Sequence, residues 1–257
     1  MPDRVQWSAG LAAWPGLELV RPLAGGHRNP VLLARCRQEQ LVVRRSGRPA
    51  AALEWELDLL AHLWAHGIRV PELVPAADGR RQVAGLVVTR FVPGAPPRDP
   101  ADWRRVVDAL ATVHQLTRGW PQRPGFAASR QLLTAPRGGD VGLDRMPERA
   151  VAAVRRAWRP VQQGPASAVH GDVGGGNLLV DGAAVTLLDW DEARVDVPWF
   201  DYAFVPEQVP VPWPGRRAEL TTAGVAWEAA TCWQAEPVYA RRRLLELYRR
   251  LARADRD

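Results

Sequence analysis

The run Pro93-Gly94-Ala95-Pro96-Pro97 constrains this chain more than any other feature, because residues of these types in a row continue neither a helix nor a strand. The sequence changes texture across it. Ahead of the run, Leu17 to Leu23, Val31 to Arg35, Leu41 to Arg44 and Val83 to Val92 are short apolar stretches that read as strands. Arg37 to Gln40 suits a hairpin between the second and the third. Pro49 to Ala65 interrupts them with Leu53, Leu57, Leu60 and Leu63 at helical spacing, closed by His66-Gly67. Beyond the run, Asp99-Pro100 sets a capping residue before a proline at the first helical position, and Trp103, Val106, Leu110 and Val113 carry the helix on. Trp120 to Pro147 reads as a long ordered loop or partial helix, Val151 to Val161 as a helix, and Arg216 onward as two amphipathic helices. The expected fold class is α+β: a β-rich lobe over 1–92 with one helix, a hinge linker at 93–97, and a mainly helical lobe over 98–257.

Composition narrows the function classes. No stretch approaches the roughly 20 apolar residues that cross a bilayer, and Met1 to Gly10 carries charge where a secretion signal needs an apolar run. Cys36 and Cys232 stand far apart without metal-ligand spacing. These features lead to the expectation of a cytoplasmic protein with no membrane partner. The isoelectric point of 10.4 invites a nucleic-acid reading. However, the chain has no lysine, its 34 basic residues are all arginine, and Ile68 is its sole isoleucine. That is the imprint of GC-rich codons. The arginines are scattered among acids, as from Asp140 to Arg159, rather than gathered as nucleic acid requires. No nucleic-acid partner is expected.

The chemistry concentrates in Val169-His170-Gly171-Asp172-Val173-Gly174-Gly175-Gly176-Asn177-Leu178-Leu179-Val180, followed by Leu187-Leu188-Asp189-Trp190-Asp191. This is a strand end, a glycine-rich loop, a hairpin about Asp181-Gly182, and a second acid after the next apolar run. Phosphoryl transfer needs an oriented hydroxyl and a divalent metal held against phosphates. Asp172 can accept a hydrogen bond from a hydroxyl. Asn177 and Asp189 offer hard oxygen ligands suited to Mg²⁺. The intervening glycines allow the tight folding that would return Asn177 towards Asp172.

The pattern His-Gly-Asp, four residues, Asn, then an apolar-Asp-Trp segment resembles the aminoglycoside phosphotransferase and choline kinase-like family, in a member of actinobacterial type. The resemblance implies a two-lobed protein-kinase-like fold. It makes Asp172 the catalytic base or hydroxyl orienter, and Asn177 and Asp189 the Mg²⁺ ligands. Gly25 and Gly26 fall where the family covers its nucleotide. Arg44 falls where protein kinases carry a phosphate-pairing lysine, and an arginine grips phosphate bidentately; Arg45, on the opposite strand face, is the alternative. Glu56 matches the acid that pairs with this cation, with Glu54 competing. Thr89 and Phe91 would present backbone groups to adenine. His170 and Asp201 would brace the catalytic loop, and His114 reads as a core histidine.

The implied activity is transfer of the γ-phosphoryl group of ATP or GTP, with Mg²⁺, to a hydroxyl of a small acceptor, with cationic ones such as an aminoglycoside or another antibiotic among the candidates. Asp191, Glu192, Glu207, Glu219, Glu228 and Glu236 are acidic residues available to such an acceptor. The alternative is a non-catalytic nucleotide-binding scaffold, although scaffolds of that kind usually lose one of the three polar residues kept here. A protein kinase fits less well, since the chain reaches Asp201 within twelve residues of Asp189, leaving no room for a long activation segment.

Overall fold

Alternation in the first third folds, in the computed structural model, into an antiparallel sheet. The structure describes residues 7, 10–23 and 30–256, so Gly25 and Gly26 lie outside the described residues. Strands β1 (Leu17–Pro22), β2 (Val31–Cys36), β3 (Glu39–Arg45), β4 (Gln82–Val83) and β5 (Leu86–Arg90) pair in the order β1-β2-β3-β5-β4. Helix α1 (Ala50–Ala65) buries Leu53, Leu57, Leu60 and Leu63, the residues whose spacing predicts it. The stretch expected as one strand from Val83 to Val92 is a hairpin instead. Ala84 and Gly85, at φ 50° and 78°, turn the chain between β4 and β5.

The chain divides into two compact units, one of residues 1–96 with 175–191, the other of 97–174 with 192–257. The return segment is a hairpin of Leu178–Asp181 against Ala184–Leu187. It groups with the first unit rather than with the helices that flank it in sequence. Its ties are backbone hydrogen bonds: Val180 and Ala95 exchange bonds of 2.7 and 3.2 Å, and Leu187 N–H donates to Arg69 O at 3.0 Å.

Period-two alternation assigns the two faces of the sheet. Leu32, Ala34, Leu41, Val43, Leu86 and Val88 pack with Trp7 and Trp14 as a buried core. Val31, Val42, Arg44, Val87 and Thr89 take the other face, where they line a cavity.

The second unit is built on α2 (Pro100–Leu116), α3 (Glu148–Trp158), α4 (Arg217–Thr231) and α5 (Pro237–Ala254). Asp99 caps α2, its carboxylate accepting from the N–H groups of Ala101 and Asp102 at 2.8 and 2.9 Å. The 120–147 stretch holds an α-helical turn, Ser129–Leu132, a 3-10 turn, Leu143–Arg145, and a two-residue ribbon of Arg137–Gly138 with Val141–Gly142. Strand Ser167–Val169, which leads into the loop that carries Asp172, pairs with Arg194–Asp196. No helix among the described residues is long and apolar enough to cross a membrane.

Candidate active site

The cavity of the first unit holds about 490 Å³. Its floor is apolar, with Leu23, Val31, Val42, Leu60, Leu179 and Leu188. Its polar side chains include Arg44, Glu56, Asn177 and Asp189. A strand, a helix and the return hairpin therefore bring four residues from distant parts of the sequence to one space, with an apolar slot beside them that suits a flat ring.

Arg44 is the hub of an ion network. One of its guanidinium nitrogens bonds Glu56, whose side chain is 1% exposed, and the other reaches Asp191 at 3.4 Å. Burial works against the charge of Arg44, but the negative charges of Glu56, Asp191 and Asp189 outweigh it and hold its pKa above the ordinary value. Glu54 faces away, bonding Arg81 and Gln82. Arg45 follows Arg44 on the strand and points to the opposite face.

Sequence reasoning missed Arg48, and it counted Asp191 among acids available to an acceptor. Instead, Asp191 is buried against two arginines. Arg48 Nε and Nη2 bond its two carboxylate oxygens at 3.2 and 2.7 Å, and Nη2 also bonds its backbone O at 3.1 Å. The pair is 143 residues apart and belongs to no spacing motif, so only the fold reveals it.

Thr89 and Phe91 both line the cavity. The register differs from the backbone contacts expected with adenine. Thr89 is ladder-paired with Val42, and Phe91 N–H donates to Gln40 O at 3.0 Å, so the sheet has taken the Phe91 amide. Val92, the next residue, also lines the cavity.

Asn177 and Asp189 are linked through the hairpin, Leu188 N–H donating to Asn177 O at 2.8 Å. Asp189 takes φ 53°, a left-handed conformation that a carboxylate residue adopts at some cost. An amide oxygen and a carboxylate are the hard donors Mg²⁺ prefers, and they fit it. No group of three or more His, Cys, Asp or Glu that could hold a metal ion exists among the described residues, so phosphate oxygens and water would complete the shell.

In the second unit, the buried carboxylate of Asp201 organises the loop that carries Asp172. It accepts from the N–H groups of His170 and Gly171 at 2.8 and 2.9 Å and pairs with His114 Nε2 at 2.8 Å. His114 Nδ1 meets Tyr202 Oη at 3.1 Å. Burial pushes the Asp201 carboxyl up, but the hydrogen bond and charge of His114, the charge of His170 and the Gly171 N–H outweigh it and hold it below the usual carboxylate range. His170 Nδ1 accepts from Asp172 N–H at 3.3 Å. Gly171 is obligatory here: its φ is 86°, and a Cβ would sit 2.6 Å from Glu192 O.

Also in this unit, Glu228 on α4 bonds Arg243 and Tyr239 on α5. Burial raises its pKa despite Arg243, and the charge of Asp172 adds to the rise. A second acid therefore stands within electrostatic reach of Asp172.

A sequence model of the phosphotransferase enzyme family matches residues 19–247. A homoserine kinase of Gluconacetobacter diazotrophicus is 32% identical over 168 residues, 60% of this chain and 52% of that protein. A second homoserine kinase, from Granulibacter bethesdensis, is 30% identical over 59% of this chain and 51% of its own length. The chain thus spans about half the length of the curated relatives it matches. Among solved structures, a microcompartment-associated aminopropanol kinase superposes at TM-score 0.66, covering 99% of this chain and 97% of the other at 19% identity. At that identity the likeness speaks for the fold.

Proposed function

The chain belongs to the phosphotransferase enzyme family, and from that premise we propose that it moves the γ-phosphoryl group of ATP or GTP to the hydroxyl of a small amine-bearing alcohol. The observation that carries this reading is the convergence of Arg44, Glu56, Asn177 and Asp189 on one cavity beside an apolar slot.

The purine would enter the slot and meet the amide of Val92, because that of Phe91 is spent on Gln40. Arg44, oriented by Glu56 and Asp191, would grip the phosphates with a planar, permanently charged fork. Asn177 and Asp189 would hold a divalent cation, which when bound neutralises phosphate charge. Asp172 would accept the hydrogen of the acceptor hydroxyl. The acceptor oxygen forms its bond to γ-phosphorus as the bond to the β–γ bridging oxygen breaks. The nucleoside diphosphate leaves with that oxygen, and the hydroxyl proton passes by way of Asp172 to solvent. Asp201 and His170 act on Asp172 only through the loop backbone.

The acceptor class rests on the relatives: homoserine and aminopropanol, named for two similar proteins, each join an amine to a hydroxyl.

A coupled assay of nucleoside diphosphate release, run with ATP and GTP over homoserine, aminopropanol, choline and aminoglycosides, tests the proposal. Turnover is expected with at least one of them. Asp172→Asn is expected to lose about 10²–10⁴-fold of it while keeping nucleotide-induced thermal stabilisation. Nucleotide binding without turnover on any acceptor would favour the scaffold reading and sink this one.

A further inference from the structure

Asp189 is held in its left-handed conformation from both sides. Before it, Leu188 N–H bonds Asn177 O at 2.8 Å, and Trp190 Nε1 reaches back across it to Leu187 O at 3.0 Å. After it, Arg48 spans Asp191, bonding both carboxylate oxygens and the main-chain carbonyl. Arg48 is itself well anchored, with its N–H on Ser46 Oγ at 3.2 Å and its side chain 13% exposed. Unlike Arg44, it does not line the cavity. Its guanidinium therefore acts on the site through Asp191 rather than on a ligand.

We infer that Arg48 is a positioning residue for the metal-binding acid: by clamping the side chain and carbonyl of Asp191, it holds the backbone of Asp189 in the conformation that presents its carboxylate to the cavity. The fork adds a contact that a point charge lacks. A lysine in place of Arg48 could offer one nitrogen to Oδ2 and the carbonyl, as Nη2 does, but would lose the separate Nε bond to Oδ1. The inference rests on the reading of Asn177 and Asp189 as metal ligands, and its test separates the two.

Calorimetric titration with a non-hydrolysable ATP analogue, once in EDTA and once across a Mg²⁺ series, supplies the readout without turnover. Arg48→Ala is expected to weaken the apparent Mg²⁺ affinity by about 10–100-fold while leaving metal-free nucleotide affinity within about twofold, as loss of a residue supporting a metal ligand does. Arg48→Lys should recover only part of the loss. If Arg48→Ala folds poorly, Arg48→Gln, which keeps part of the side chain and one donor without the charge or the fork, should give the same split in weaker form. Equal losses in both arms would make Arg48 a merely structural residue, and an unchanged Mg²⁺ dependence would remove it from the site. Wild-type protein showing no Mg²⁺ dependence at all would instead overturn the metal reading itself, and this inference with it.

Discussion

Glu56 shows how a single residue turns a plausible motif into a site. Its side chain is almost wholly buried, and its partner Arg44 is 14% exposed. Removing Glu56 leaves Arg44 charged and buried with only the longer contact to Asp191 at 3.4 Å, which is costlier than never having had the pair. Glu56→Ala is therefore expected to lower unfolding free energy by about 3–5 kcal/mol, read from chemical denaturation, and to weaken nucleotide binding as Arg44 turns towards Asp191. A loss near zero would mean that the pair is solvated and Arg44 is held by other means. The sequence favoured this pair while leaving Arg45 and Glu54 as alternatives. Two adjacent arginines on a strand and two acids two apart on a helix give four combinations, and only the packing of α1 on the sheet selects Arg44 with Glu56. Asp172, Asn177 and Asp189 were legible because their spacing is local. Arg48 was not, because its partner lies across the chain.

At the scale of elements, apolar periodicity located the helices well, since each buries the face its spacing defines. The β4–β5 hairpin escaped because its turn residues are unusual. Two positive-φ positions call for Asn-Gly or Asp-Gly, and here the pair is Ala84-Gly85. Gly85 is fixed, for a Cβ there would lie 2.8 Å from Ser46 O. Ala84 is exposed and has no such reason to be alanine. An L residue with a Cβ is strained in this region, while asparagine tolerates it. Ala84→Asn should therefore stabilise the protein by about 0.5–1 kcal/mol, seen as a higher denaturation midpoint with unchanged slope. A neutral or destabilising result would show that the turn relaxes in solution to a conformation alanine prefers.

For the molecule as a whole, charge and chain path matter more than any one contact. The high isoelectric point is dispersed into pairs such as Arg81 with Glu54 and Asp58, Arg90 with Glu39 and Glu72, and Arg243 with Glu228 and Glu246. Pairs of this kind add little stability each, but they break up the one-signed surface that nucleic acid would need. The path of the chain was the harder thing to read. The proline-rich run marks the place where the first unit ends in sequence, but that unit is completed only when residues 175–191 return to it. Such long-range pairing leaves no periodic trace, because Ala95 and Val180 are joined by backbone bonds alone. A fragment of residues 1–96 would keep the sheet, α1, Arg44 and Glu56, but it would lack Asn177, Asp189 and the wall supplied by Leu179 and Leu188. It would also leave Asp191 absent and Arg44 with one acid fewer. Such a fragment is expected to show no Mg²⁺-dependent nucleotide binding by calorimetry, whereas the whole chain binds. Mg²⁺-dependent binding by the fragment would mean that the metal is held within the first 96 residues, and that Asn177 and Asp189 are not its ligands.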